Sequence, residues 1–319
     1  MKKILYTLLI PVFMGVSVQF AAAQTFTIPV LPDTQVETNS NPAMFNSRMN
    51  WLVAKKDSLH IPMVLHVGDV VNYDNNGHWE NASTGFEILD KAHIPYAIAV
   101  GNHDTRAVGF HNGGAAPGNT NANVRITDKF NAFFPVYRFK NQRGRYEADK
   151  SDNAYYTFQA GGYNWLVMTL EFCARSGPVN WASTILPQYP NHNVIILTHY
   201  HLTSKGEIND TNAGYGDLSP LEIFNKLIKK NSNVCMVLSG HVVTSALKID
   251  KGDAGNTIFQ ILQDYQHEDY GGGYIRLLDI DPAKGTIQAK MYSPFYNKTK
   301  EDASKFSVSG LKLIPMDLK

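Results

Sequence analysis

Side chains able to bind cations recur at one kind of place in this chain, directly after short apolar runs. Ile28-Pro29-Val30-Leu31-Pro32 leads into Asp33, Met63 to Gly68 into Asp69, and Ile98-Ala99-Val100-Gly101 into Asn102-His103-Asp104. Further on, Val194 to Thr198 leads into His199, and Met236 to Gly240 into His241. Carboxylate, amide oxygen and imidazole together suit borderline first-row cations such as Mn²⁺, Fe or Zn²⁺. A carboxylate in such a set can bridge two ions about 3.5–4 Å apart, a geometry that serves hydrolytic chemistry.

The elements that must position these residues follow from the apolar pattern. Residues 26–31, 61–67 and 95–100 are strand candidates, separated by helix-compatible spacing over 42–57 and 78–92. This β-α-β-α-β order predicts parallel pairing in an α/β fold, with ligands at the carboxyl ends of the strands. Glycines before Asp69, Asn102 and His241 permit tight turns there. Residues 105–153 lose the pattern, with one short helix expected near 126–134. Strands resume at 154–159, 165–170, 194–197 and 234–238, with a helix over 220–230. Strand candidates at 257–262, 274–280 and 286–292 follow, expected to extend the sheet or form a second one.

Gly68-Asp69-Val70-Val71-Asn72, Gly101-Asn102-His103-Asp104, Thr198-His199 and Gly240-His241, in that order, resemble the successive motifs of calcineurin-like metallophosphoesterases. The resemblance runs from Asp33 to His241. It implies an α/β/β/α sandwich of two central mixed sheets flanked by helices. It also implies two divalent transition-metal ions (Mn, Fe or Zn). Asp33 would bind the first ion and Asp69 would bridge both, while Asn102, His199 and His241 would complete the second site. His103 would stand beside the substrate phosphate, Asp104 would orient His103, and a metal-bound hydroxide would be the nucleophile.

Two positions depart from the family pattern, and both concern the first metal. Asp33-Thr34-Gln35 stands where Asp-x-His is usual, and Gly240-His241-Val242-Val243 where Gly-His-x-His is usual. Gln35 can offer an amide oxygen, a form that looks like that of a secreted subfamily, whereas Val243 offers no donor. His201 and the segment 263–267 could supply a missing ligand, although a solvated or substrate-facing loop is the simpler reading. Purple acid phosphatases carry a Tyr three residues after the bridging Asp. Asn72 occupies that position, which argues against that group.

The 29 basic and 28 acidic residues give a net charge of +1, which provides no bulk attraction for nucleic acid. Lys2-Lys3, an apolar run to about Val18 and Ala21-Ala22-Ala23-Gln24 read as a cleaved secretory signal over residues 1–23. That leaves a single domain over 24–319, secreted or periplasmic and without a membrane span. Cys173 and Cys235 are read as a possible disulfide or as two buried thiols. The expected activity is hydrolysis of small-molecule, lipid or sugar phosphomonoesters or phosphodiesters. The alternative is a non-catalytic binding protein on the same scaffold.

Overall fold

The computed structural model describes residues 24–110 and 114–316; the expected signal segment 1–23 lies outside the described residues. The chain begins with β1 (Phe26–Leu31), α1 (Gln35–Ser40), α2 (Pro42–Lys55), β2 (Val64–His66), α3 (Asn76–Lys91) and β3 (Tyr96–Ile98). The glycine- and asparagine-rich stretch holds α4 (Thr120–Asn123), α5 (Asp128–Phe133) and β4 (Gln142–Arg145). Next come β5 (Ala154–Ala160), β6 (Tyr163–Leu170), α6 (Ser176–Ile185), β7 (Asn193–Thr198), α7 (Pro220–Ile223) and β8 (Val234–Ser239). The remainder is strand: β9 (Ser245–Lys251), β10 (Thr257–Gln263), β11 (Ile275–Asp281), β12 (Thr286–Ser293), β13 (Lys298–Lys300) and β14 (Phe306–Ser309).

These strands make two mixed sheets. The first runs β13-β12-β11-β1-β2-β3, with β14 also on β12. Its β1, β2 and β3 are parallel, as the β-α-β-α-β pattern requires, and β11 lies antiparallel on β1. The second runs β4-β5-β6-β7-β8-β10-β9, with β6, β7, β8 and β10 mutually parallel. Period-two alternation explains why the sheets stack. Trp165 and Val167 of β6, with Ile195 and Leu197 of β7, face the core shared with β1, β2 and β11. Their neighbours Leu166, Met168, Val194 and Ile196 face a second core with α6 and the 223–228 helical turns. Strands buried on both faces read as continuous apolar runs, which is why the sequence announces them.

Local chemistry sets the helix ends. The Asn41 side chain accepts from Met44 N (3.2 Å) ahead of Pro42, and Asn75 accepts from His78 N (3.1 Å). Ser219 and Glu222 form a capping box on α7. The helix expected over 220–230 is one α turn followed by a π-helical turn at Phe224–Ile228. Strands β4, β9, β13 and β14 were not anticipated. They are largely solvent-facing edge segments without apolar runs. Cys173 and Cys235 are separate buried thiols; burial pushes each up to about 12.

At Gly85 of α3, a Cβ would lie 2.4 Å from the Phe45 ring of α2. Gly85→Ala is therefore expected to lower stability by about 1–2 kcal/mol, overpacking outweighing the gain in helix propensity. Chemical denaturation measures this; an unchanged or raised stability would show that the α2–α3 contact relaxes freely.

Candidate metal centre

The expected ligand residues meet at the seam between the two sheets. Asp33, Asp69 and Asn102 leave the ends of β1, β2 and β3, whereas His199 and His241 leave the ends of β7 and β8. The edge that sequence reading assigned to one sheet is thus shared by two. Asp69 Oδ2 lies 3.2 Å from His199 Nε2, and His199 Nε2 lies 3.3 Å from His241 Nδ1. His241 Nδ1 is 3.0 Å from Asn102 Oδ1, and the His241 backbone N–H donates to Asp33 Oδ2 (3.1 Å). Asp69, His199 and His241 each present one donor atom, all within 4.8 Å of one another.

Each donor is held by a backbone or side-chain partner. His199 Nδ1–H donates to the Val67 carbonyl (2.9 Å), which turns Nε2 toward the centre. The Asn102 amide donates to Tyr215 Oη (3.0 Å), which turns its Oδ1 the same way. Sequence reading missed Tyr215 because it sits in a polar loop with no motif around it. His66 couples two motifs: Gly68 N–H donates to its Nδ1 (3.1 Å), so its Nε2–H is free to donate to Thr34 Oγ1 (2.9 Å). Thr34 Oγ1 donates in turn to the Val70 carbonyl.

The turns that deliver these groups are strained. Asp69 (φ 52°) and His241 (φ 70°) both lie in the left-handed region, uncommon for residues with a Cβ. Close approach also demands glycine at two places. A Cβ at Gly101 would fall 2.1 Å from Asp69 Oδ1, and one at Gly240 would fall 2.1 Å from Asp33 Oδ1.

Electrostatics reflect the crowding. Burial, then Asp264 and Asp69, push the Asp33 carboxyl well above its ordinary range. Asp69 is also opposed by burial, but His199, His103 and His241 bring it below that range. Burial, then His199, hold His241 down at about 3.

The calcineurin-like phosphoesterase family matches this chain over residues 27–245, more than half its length. The chain belongs to that family. Its enzymes hydrolyse phosphoesters. The chain is also similar to the uncharacterized protein YvnB of Bacillus subtilis (strain 168), at 29% identity over 310 residues. That match covers 93% of this chain but only 22% of YvnB, so the chain spans about a fifth of the relative's length. Among solved structures, the fold is similar to purple acid phosphatase PPD1 from yellow lupin (Lupinus luteus) seeds, with TM-score 0.54 and 14% identity. That likeness covers 90% of this chain and 54% of the other. It is also similar to a dimetal phosphatase from Danio rerio, with TM-score 0.53 and 11% identity, over 89% and 98% of the two chains. The sandwich of two mixed sheets with flanking helices is thus the family fold.

The residues gathered at the seam fit divalent cations. Gln35 is buried, and its Oε1 has no hydrogen-bond partner among the described residues, leaving an amide oxygen available as a ligand. Carboxylates buried this close together favour a cation between them.

Three expectations about individual residues need correction. Asp104 does not orient the His103 ring by a hydrogen bond of its own: its Oδ1 accepts from Val70 N (2.8 Å) and Val71 N (3.1 Å), and its Oδ2 from Gly101 N (2.9 Å). It staples the second motif to the third. His103 is oriented instead by the Asn72 carbonyl, which accepts from its Nδ1 (2.7 Å), while its backbone N–H donates to Asp69 Oδ1 (2.9 Å). His201 is no replacement ligand, being buried against Gln260 Oε1 at 2.6 Å. The segment 263–267 is not a solvated loop throughout, since Gln263, Asp264 and Tyr265 are buried. In the long insertion, Arg125 binds the Phe172 and Cys173 carbonyls and Asp217, an architectural role.

Gly240→Ala is expected to displace Asp33 and deplete bound metal while the fold survives. Elemental analysis with far-UV circular dichroism tests this; undiminished metal in a folded variant would remove Asp33 from the ligand set. His201 gives a pH signature. Burial holds it at about 4 in the folded chain against an ordinary value near 6.5. The unfolded state therefore binds more protons between those values, and stability present above pH 6.5 is lost as pH falls toward 4. His201→Gln should lessen the stability lost between pH 7.5 and pH 5 by about 2 kcal/mol. Equal losses in both proteins, read by denaturant unfolding, would contradict this.

Proposed function

We propose that this chain is a two-metal phosphoester hydrolase that acts outside the cytoplasm on small phosphomonoesters or phosphodiesters. The observation that carries the reading is the convergence of Asp33, Asp69, Asn102, His199 and His241 from two sheets onto one seam, with His103 on its rim. Asp33, Gln35 and Asp69 would hold one ion; Asp69, Asn102, His199 and His241 would hold the other. Divalent ions in such a site supply Lewis acidity, both toward water and toward a phosphoryl oxygen.

The chain's own residues would do the rest. Asp69 is pinned by the His103 backbone N–H, so its carboxylate keeps a fixed direction. With Nδ1 tied to the Asn72 carbonyl, His103 has Nε2 left to meet a substrate oxygen. In its protonated form that nitrogen can donate to the leaving oxygen or stabilise charge on the phosphoryl group. Asp104 keeps the 70–71 and 101 backbones together beneath His103, positioning it through the main chain. Phe172 and Tyr215 pack 4.7 Å apart beside the histidines and give the centre an apolar wall.

Export is supported by the basic, apolar and small-residue order of residues 1–24. Among the described residues no helix is long and apolar enough to cross a membrane. The near-neutral charge supports small substrates over nucleic acid.

The test is metal content of the purified chain, together with cleavage of an aryl phosphomonoester and an aryl phosphodiester with and without Mn²⁺. Near two ions per chain and Mn²⁺-stimulated cleavage are expected. Absence of cleavage under every ion would favour a binding protein on this scaffold. His103→Ala should lower turnover by about 10²–10⁴-fold with metal content unchanged. Wild-type turnover in that variant would remove His103 from the chemistry.

A further inference from the structure

Both histidines usual for the first metal are absent, and Val243, at the second of those positions, is half exposed and offers no donor atom. Asp264 supplies a feature that the mechanism above does not use. It directly follows β10, which pairs in parallel with β8, in register Leu262 to Ser239. Asp264 is therefore delivered to the same strand-end edge as His241. Its backbone N–H donates to the Thr244 carbonyl (2.9 Å), tying it to the turn that carries His241 and Val243. Val243 and Asp264 line one cavity of about 220 Å³.

The Asp264 carboxylate is only half satisfied. Its Oδ1 accepts from Gln266 N (2.9 Å). Its Oδ2 is fully buried and has no hydrogen-bond partner among the described residues, a costly arrangement for an oxygen that carries charge. Gln35 Oε1, beside Asp33 in the chain, is buried and unpartnered in the same way. Asp33, Asp69 and Asp264 are all buried where β1, β2 and β10 end, and a cation among them would satisfy both orphaned oxygens.

We propose that Asp264 is a ligand of the first metal and replaces the donor missing at Val243. The proposal rests on the two-metal reading above. The first site then consists of Asp33, Gln35, Asp69 and Asp264, an all-oxygen set. Such a set suits hard cations such as Mn²⁺ or Mg²⁺ over Zn²⁺. The second site keeps its two imidazoles. The chain would thus hold two chemically unequal ions.

The experiment titrates wild type, Asp264→Asn and Asp264→Ala with Mn²⁺, reading stoichiometry and affinity by calorimetry and spin coupling by electron paramagnetic resonance. Wild type is expected to take two ions with a coupled spectrum. The variants are expected to keep one ion at unchanged affinity and to lose the other by about 100-fold or more, the upper end of what outer-sphere partners cost. The spectrum should then turn into that of isolated Mn²⁺. Should Asp264→Ala fail to fold, Asp264→Asn carries the test, because it keeps the oxygen that Gln266 N–H meets. Two ions at wild-type affinity and a coupled spectrum in the folded variants would overturn the proposal and leave the two-metal reading intact. A wild type that binds no Mn²⁺ would overturn both. A wild type that binds two ions but cleaves no phosphoester, with variants that lose one, would sustain the ligand and sink the activity.

Discussion

Asp33, Asp69 and Asp264 are buried together at the seam of two sheets, and much of the surrounding structure answers to that crowding. Carboxylates removed from water repel one another and lose hydration, so they require partners of opposite sign or dense hydrogen bonding. His199 and the backbone N–H groups of His103 and His241 meet part of that need. The glycines at 101 and 240 let backbone approach close enough to provide it. The left-handed conformations of Asp69 and His241 are the conformational cost of aiming these groups inward. Asp104, with its three backbone donors, keeps the strained turns from separating.

Metal chemistry on this seam divides into two halves of different character. The half nearer β3, β7 and β8 carries imidazole and amide donors fixed by the Val67 carbonyl and Tyr215. The half nearer β1 and β10 carries oxygen donors alone, with Gln35 in a position that is usually imidazole. Loss of the two histidines therefore need not mean loss of the site. With the proposed all-oxygen set, it would change the kind of ion that the site prefers.

Much of this was legible in the sequence, because the ligands follow strands buried on both faces and such strands appear as unbroken apolar runs. The order of β1 to β3 and the five converging residues could be read for that reason. The division into two sheets could not be read from the runs alone, since adjacent runs do not say whether they pair side by side or stack. Asp104 was misassigned because the sequence places it next to His103, and only the turn geometry shows its carboxylate facing back to Val70, Val71 and Gly101. Tyr215 was missed for a related reason: its side chain is brought in by a long polar connection without a local pattern. Asp264 follows a strand as the other ligands do, but no family motif surrounds it. The solvent-facing strands β4, β9, β13 and β14 left no apolar trace.

The seam has a mechanical side as well. One set of ligands belongs to the first sheet and the other to the second, so an ion held between them is also a rivet between the halves of the sandwich. Chelation would then loosen the register of one sheet on the other, beyond silencing the chemistry. Cation binding and resistance to unfolding become linked quantities, since an ligand that binds only the folded chain stabilises it in proportion to the logarithm of its concentration. Such a chain would carry its durability and its competence in the same bond.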